Sequence, residues 1–395
     1  MRIPKPTFWQ SVLGIVLLAG LYATVLRFAR GLGASTNLSD AFPWGLWIGF
    51  DVLCGVMLAA GGFTLTATVY VFHLKSFRPI ARPAVLTAFL GYLLVVVALL
   101  FDLGRGYRIW HPLVMWNPRS VMFEVAWCVT LYTTVLALEF SAIIFERFHL
   151  RKLLKLQHTI SIPLVILGVL LSTLHQSSLG SLYLIVPDKL YPLWYSPLLP
   201  VFFFLSSVCV GLAMTIFESH MSAKVFGKQL ELDLLVRLGR VLLVLLIVYS
   251  VLRFQDLYQR GALALLRHPG YEARLFFLEV GVGLLLPIAL LLIPSIRESS
   301  GGLHISAVLV LLGFIMNRLN VSITGMESSA GLRYIPRWTE VAITASIVGA
   351  GFGIFALAVK YLPIFPPKEI SAARLPTKGN SFAKSLSAEM THAGP

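Results

Sequence analysis

An all-α, polytopic membrane protein is the fold class this sequence predicts, and three observations carry the prediction. The 395 residues are 57% hydrophobic and only 13% charged, with a mean hydropathy of +0.82, far from the balance of a soluble globular chain. Ten stretches hold about 20 largely apolar residues each, the length a helix needs to cross a bilayer. Lys and Arg gather between those stretches rather than along them, as topology signals do. A soluble multidomain enzyme is thereby excluded, and the formal charge of +14 reads as an orientation signal rather than a nucleic-acid one.

Taken in order, the first span covers residues 8–29 and follows a short basic lead, Arg2 and Lys5. It is too long for a signal-peptide core and lacks a small-x-small cleavage site, so it reads as a retained helix. Further spans follow at about 45–73, 84–104, 119–145, 157–185, 197–219, 236–257, 273–295, 303–320 and 339–362, again from the bilayer-length requirement. The ninth is the weakest, because MNRLN places Arg318 at its end. After Pro363 the composition turns to Pro, Lys, Ser and Ala, which cannot bury enough apolar surface to fold. Residues 1–363 are therefore expected to form the membrane domain and 364–395 a disordered tail.

Ten spans put both termini on one side, and that side collects 19 of the 32 Lys and Arg. The positive-inside rule makes it cytoplasmic. The opposite loops are longer and rich in Trp, Tyr and Pro (FPWGLW, YRIWHPLVMWNP, PDKLYPLWYSPLLP, RYIPRW), which suits an interfacial aromatic belt or a docking platform.

An internal repeat is legible. LLFDLGR is followed by MFEV with 22 residues from Asp102 to Glu124, and RFQDLYQR by FLEV with 23 from Asp256 to Glu279. An offset of four helices preserves orientation. Two parallel four-helix bundles are expected, spans 2–5 (residues 45–185) and 6–9 (197–320), with spans 1 and 10 peripheral. The second copy has no counterpart of LHQSSLGS (174–181), which favours the first as the active one.

Charge inside a membrane costs about 2.5–3.5 kcal/mol per acid on insertion scales and marks function. Asp51, Asp102 and Glu124 all fall in the outer third of their spans when depth is reckoned at about 1.5 Å per residue. Span five enters from the cytoplasm and brings His175, Gln176, Ser177 and Ser178 toward the same depth. Each has a plainer reading. Asp102 stands three residues before Arg105 and could form an intrahelical pair, Asp51 could pair with Arg105 or Arg318, and His175 could be a satisfied core histidine. Glu124, without a nearby cation, is the better candidate for proton handling.

Other cofactor chemistry finds little purchase in the residues. Cys54, Cys128 and Cys209 stand alone with no C-x-x-C, so no iron-sulfur site, zinc site or disulfide framework is encoded. Of the nine His, His175 alone lies deep in a span, so no bis-histidine haem is expected. No metal site is expected in this chain.

FPWGLWIGFD (42–51), FDLGR (101–105), MFEVAWCVTLY (122–132), LHQSSLGSL (174–182) and YIPRWTE (334–340) resemble the membrane subunit of periplasm-facing nickel-iron hydrogenases, the HybB group of the NrfD/PsrC (polysulfide reductase membrane subunit) superfamily. The resemblance runs to about Pro367. It implies a multi-pass inner-membrane subunit with no redox cofactor of its own, docked under a ferredoxin-like iron-sulfur subunit and a hydrogenase heterodimer, passing electrons from hydrogen to menaquinone. A molybdenum oxidoreductase or a multihaem cytochrome complex is the alternative partner. The family's quinone pocket would map to Asp51, Asp102, Glu124, His175 and Gln176, with Glu124, His175 and Asp102 as the proton-handling residues; Trp47, Arg105 and Ser177 are further candidates around the ring.

Overall fold

In lipid every backbone N–H and C=O must find a partner within the protein, which leaves the helix as the economical way for an apolar run to cross. The computed structural model describes residues 7–227, 230–267 and 270–365. Ten helices long and apolar enough to cross a membrane run through it: α1 (Phe8–Arg30), α2 (Trp47–Val71), α3 (Arg78–Asp102), α4 (Val121–Arg147), α5 (Arg151–Ile185), α6 (Leu199–Phe226), α7 (Leu232–Gln259), α8 (Tyr271–Leu292), α9 (Ser300–Ala330) and α10 (Trp338–Tyr361). No strand occurs among the described residues beyond an isolated bridge between Ser39 and Phe42. The expected disordered tail lies, but for its first two residues, outside the described residues.

Local chemistry sets the helix ends. Thr7 and Gln10 exchange backbone and side-chain hydrogen bonds to start α1, a capping box. Ser120 accepts from the amide of Phe123 to start α4. α6 stops where Gly227 turns to φ 61°, a left-handed conformation that glycine adopts without Cβ strain.

α2 and α6 are the most enclosed helices, whereas α1, α5 and α10 are the most exposed. α2 touches α3 and α5, and α4 touches the same two; α6 touches α7 and α9, and α8 the same two. α1 lies along α10, which lies along α3. Small residues allow the closest approaches, as usual between membrane helices: a Cβ on Gly211 of α6 would stand 2.9 Å from the Ala60 carbonyl of α2.

Two features depart from the linear reading. α9 does not end at Arg318 but continues to Ala330 through a π-helical segment at Asn320–Thr324. Arg318 is mid-helix, 1% exposed, with its guanidinium 3.4 Å over the Phe203 ring and its Nη2 donating to the Phe203 carbonyl and to Ser206 Oγ. That pairing lets a cation sit inside an apolar helix and removes the reason for placing it at the end. α2 likewise opens with a π-helical segment, Trp47–Cys54, that carries Asp51. Wide turns of this kind often fall at functional sites.

Candidate functional site

A groove of about 520 Å³ runs between α2, α3, α6 and α10. Leu58, Leu94, Met214, Phe217 and Phe352 are typical of its walls, and Gly55, Gly91 and Gly351 also line it, each where a Cβ would press on a neighbouring helix. Along α6 it extends from Met214 to Phe226, about 18 Å of helix rise. Val348 and Phe352 on the α10 wall are 39% and 66% exposed, so the groove opens on the flank that lipid covers. Two carboxyls interrupt the apolar lining: Asp51 at the end nearer the α2 N-terminus, and Glu218 toward the other end.

Asp51 is buried and accepts a 2.7 Å hydrogen bond from Thr344 Oγ1 of α10. It pairs with neither Arg105 nor Arg318, because the π-helical turn aims it toward α10. Trp47, one turn earlier, is 1% exposed. Its ring lies 6.3 Å from that of Phe101 and its Nε1 reaches the Glu340 carbonyl, so it locks α2 to α3 and α10 as a core residue.

Asp102 ends α3, and the chain turns extended at Leu103. Arg105 therefore lies off the helix and exposed, and the expected Asp102–Arg105 pair does not form. The cation near Asp102 is instead Arg27 of α1, 4% exposed. Its Nε and Nη2 donate to the Phe101 and Leu103 carbonyls, each at 2.8 Å. These carbonyls are orphans of the helix end, and charge-assisted bonds to them are worth about 1.5–3 kcal/mol each. Asp102 lies within Coulombic reach of Arg27 and of Glu340, and Asp51 within that of Asp102.

His175 and Gln176 occupy a second place. Both are fully buried, and Gln176 Nε2 donates to the Val56 carbonyl of α2. Neither His175 nitrogen has a hydrogen-bond partner, nor do Gln176 Oε1, Tyr92 OH, Tyr132 OH and Ser172 Oγ. Tyr92 packs 4.7 Å from Tyr132 and 5.8 Å from His175, centroid to centroid. Such a cluster of buried polar atoms without close partners is uncommon in a native core. Ser177 faces elsewhere and donates to the Thr173 and Leu174 carbonyls of its own helix.

Glu124 occupies a third place. It lies in the first turn of α4, exposed, and accepts a 2.6 Å bond from Ser178 Oγ of α5. The helix N-terminus favours a negative charge there.

The repeat partners of these acids are spent on structure. Asp256 accepts from Ser196 and from both Nε and Nη2 of Arg260. Glu279 accepts from Trp194 Nε1, Asn317 Nδ2 and Asn320 Nδ2. Both hold the 186–198 connection against the α7–α9 helices. In the first repeat Asp102 has no hydrogen-bond partner and no ion pair among the described residues, and Glu124 has one hydrogen bond.

Reasoning along the sequence passed over Arg27, Thr344, Glu340 and Tyr334, since they belong to the two peripheral spans and their approach. YIPRWTE held the signal. Glu340 is 0% exposed and accepts from the Asn37 and Arg337 amides and from the Tyr334 hydroxyl. Glu218, whose Oε1 is buried without a partner, was missed as well, being a lone acid in an apolar run.

Ten helices long and apolar enough to cross a membrane among the described residues, four of them around an apolar groove, define a multi-pass membrane protein. Residues 34–328 match the family described as polysulphide reductase, NrfD, and the chain belongs to that family. A protein of Nitratidesulfovibrio vulgaris is 41% identical over 89% of this chain and 93% of its own length. The probable Ni/Fe-hydrogenase 2 b-type cytochrome subunit of Escherichia coli is 35% identical over 92% and 93%. The integral membrane subunit of menaquinone reductase from N. vulgaris is 29% identical over 92% and 93%.

Among the described residues His175 is the one buried histidine, and its ring packs on Tyr92. The one close histidine pair, His220 of α6 and His304 of α9, stacks at 4.1 Å and 18°, leaving no room for a macrocycle between the rings. These histidines do not fit a bis-histidine haem.

Proposed function

We propose that this chain is the quinone-reactive membrane subunit of a respiratory oxidoreductase complex, carrying electrons from an iron-sulfur partner to a quinone of the menaquinone type. The observation that carries the reading is the lipid-open apolar groove with buried Asp51 at its head. A quinone needs an apolar slot for its isoprenoid tail and a hydrogen-bonding, proton-exchanging group at its ring. The tail gains little by leaving lipid, which is as apolar as the groove, so headgroup contacts set the affinity.

On this reading the ring sits near Asp51, held in place by Thr344, with Phe50 and Leu94 of the lining beside it, while Trp47 stays outside the groove as a core residue. Reduction takes two electrons from the partner and two protons from the protein, and Asp51 and Asp102 supply them. His175 and Gln176, with free hydrogen-bonding atoms in the first repeat, and Glu124 on Ser178 belong to the proton traffic around it. Ser177 and Arg105 stand outside: one is bonded to its own helix, the other exposed on the loop.

The hydrogenase partner is supported by the name of the E. coli relative, and the menaquinone by that of the N. vulgaris subunit. In this assignment a ferredoxin-like iron-sulfur subunit and the hydrogenase large and small subunits dock at the aromatic loops on the Asp102 side, facing the periplasm. Both termini are then cytoplasmic and the membrane is the bacterial inner one. A molybdenum enzyme as partner is the second reading, favoured by a selenate reductase subunit from Mesobacillus selenatarsenatis that is 25% identical over 90% of this chain. Copurification with subunit identification separates the two. A photoactivatable quinone tests the site: labelling within 50–59 and 347–356 supports it, and labelling confined to other helices removes it.

A further inference from the structure

Three carboxyls and one guanidinium converge where α1, α2, α3 and α10 meet, and their hydrogen bonding differs sharply. Glu340 is saturated: two amides and a phenol hydroxyl donate to it. Asp51 is buried, with one donor, Thr344. Asp102 has none among the described residues and is partly exposed at the end of α3. Arg27 spends its Nε and Nη2 on main-chain carbonyls on either side of Asp102, so its charge acts on that carboxyl without tying up its lone pairs.

We propose that Asp102 hands protons between Asp51 and the water at the nearer membrane face, with Arg27 and Glu340 as positioning residues that bias the pair. This rests on the quinone reading of the groove and adds to it the route and the side of proton exchange. One positive group facing three acids leaves a net negative cluster unless a proton is taken up, and coupled acids share such a proton. The groups facing the pair are Arg27 from α1, Cys54 and Trp47 from α2, Glu340 and Thr344 from α10, and Tyr334 from the preceding loop.

The step balances. For each of the two electrons that arrive from the partner, Asp51 gives one proton to a quinone carbonyl oxygen. Asp102 passes a proton to the Asp51 carboxylate across the space in which the two feel each other's charge, and water reprotonates Asp102. Two such cycles per quinone yield the quinol. Both protons come from the face at which Asp102 lies, so the exchange through this pair carries no proton across the membrane.

The test uses the complex with its partner subunits in proteoliposomes, with the pH of each compartment set separately. Turnover of the wild-type complex should follow the pH of the compartment at the Asp102 face. Asp102→Asn should lower kcat at least tenfold with KM for quinone within twofold and flatten the pH profile, and Asp102→Glu should restore both. Glu340→Gln and Arg27→Gln should displace the pH profile in opposite directions, which loss of a merely structural contact would not do. Binding of a quinone-analogue inhibitor is measured in parallel. If the analogue binds and Asp102→Asn leaves rate and profile intact, or the rate follows the opposite compartment, the relay is overturned and the groove reading survives. If the wild-type protein binds no analogue, both fall.

Discussion

Replacing Asp51 with Asn is the sharpest perturbation of the site, because it removes an exchangeable proton and little else. Asn fills nearly the same volume, and its Oδ1 can still accept the Thr344 hydroxyl that now reaches Asp51 Oδ2 at 2.7 Å, so packing of α2 on α10 should persist. What is lost is acid–base capacity at the head of the groove. Removing a positioned acid or base costs about 10²–10⁴ in rate, and about 1.36 kcal/mol of barrier corresponds to each tenfold, so kcat should fall at least a hundredfold. KM should change by less than threefold, since the amide still presents hydrogen-bonding atoms to the ring. The assay is quinone reduction by the membrane-bound complex, with the partner's dye-linked activity and complex yield as controls. Retention of half or more of wild-type kcat at normal yield would refute Asp51 as the proton-exchanging group.

Other outcomes follow from the same geometry. Val348→Trp should narrow the groove from its exposed wall and raise KM for long-tailed quinones several-fold, while Leu357→Trp, exposed outside the groove on the same helix, should not; steady-state kinetics with short- and long-tailed analogues decide this. Glu279→Leu should strand three buried N–H donors, at about 1–3 kcal/mol each, and lower the thermal midpoint in detergent; an unchanged midpoint would contradict its structural role. Tyr334 is buried and donates to Glu340, and burial pushes its phenol above the ordinary value of 10. The folded state thus favours the neutral phenol, so its contribution to stability is constant below pH 10 and declines above it as the unfolded chain ionises first. Tyr334→Phe should remove that alkaline component from a stability titration, and an unaltered titration would count against it.

Hydrophobic run length was enough to place all ten helices, because a bilayer enforces helical length in a way no soluble core does. Arg318 misled at the end of α9, since its burial rests on the Phe203 ring and Ser206, contacts a linear reading cannot supply. Asp51 and Asp102 stood out as charges in apolar runs. Their true neighbours did not, because Arg27, Thr344 and Glu340 come from α1 and α10, far away in sequence and peripheral by count. Arg105 was favoured over Arg27 for the opposite reason: it is close in sequence, yet α3 ends before reaching it. His175 and Gln176 were legible as polar groups in an apolar span, whereas Tyr92 and Tyr132 look like ordinary core aromatics until their hydroxyls are seen without partners.

A density map of the purified complex with its native quinone tests the central claim most directly. The quinone ring should lie within hydrogen-bonding distance of Asp51, with its tail running along α6 toward Phe226. A headgroup seated elsewhere, with the groove filled by phospholipid alone, would contradict it.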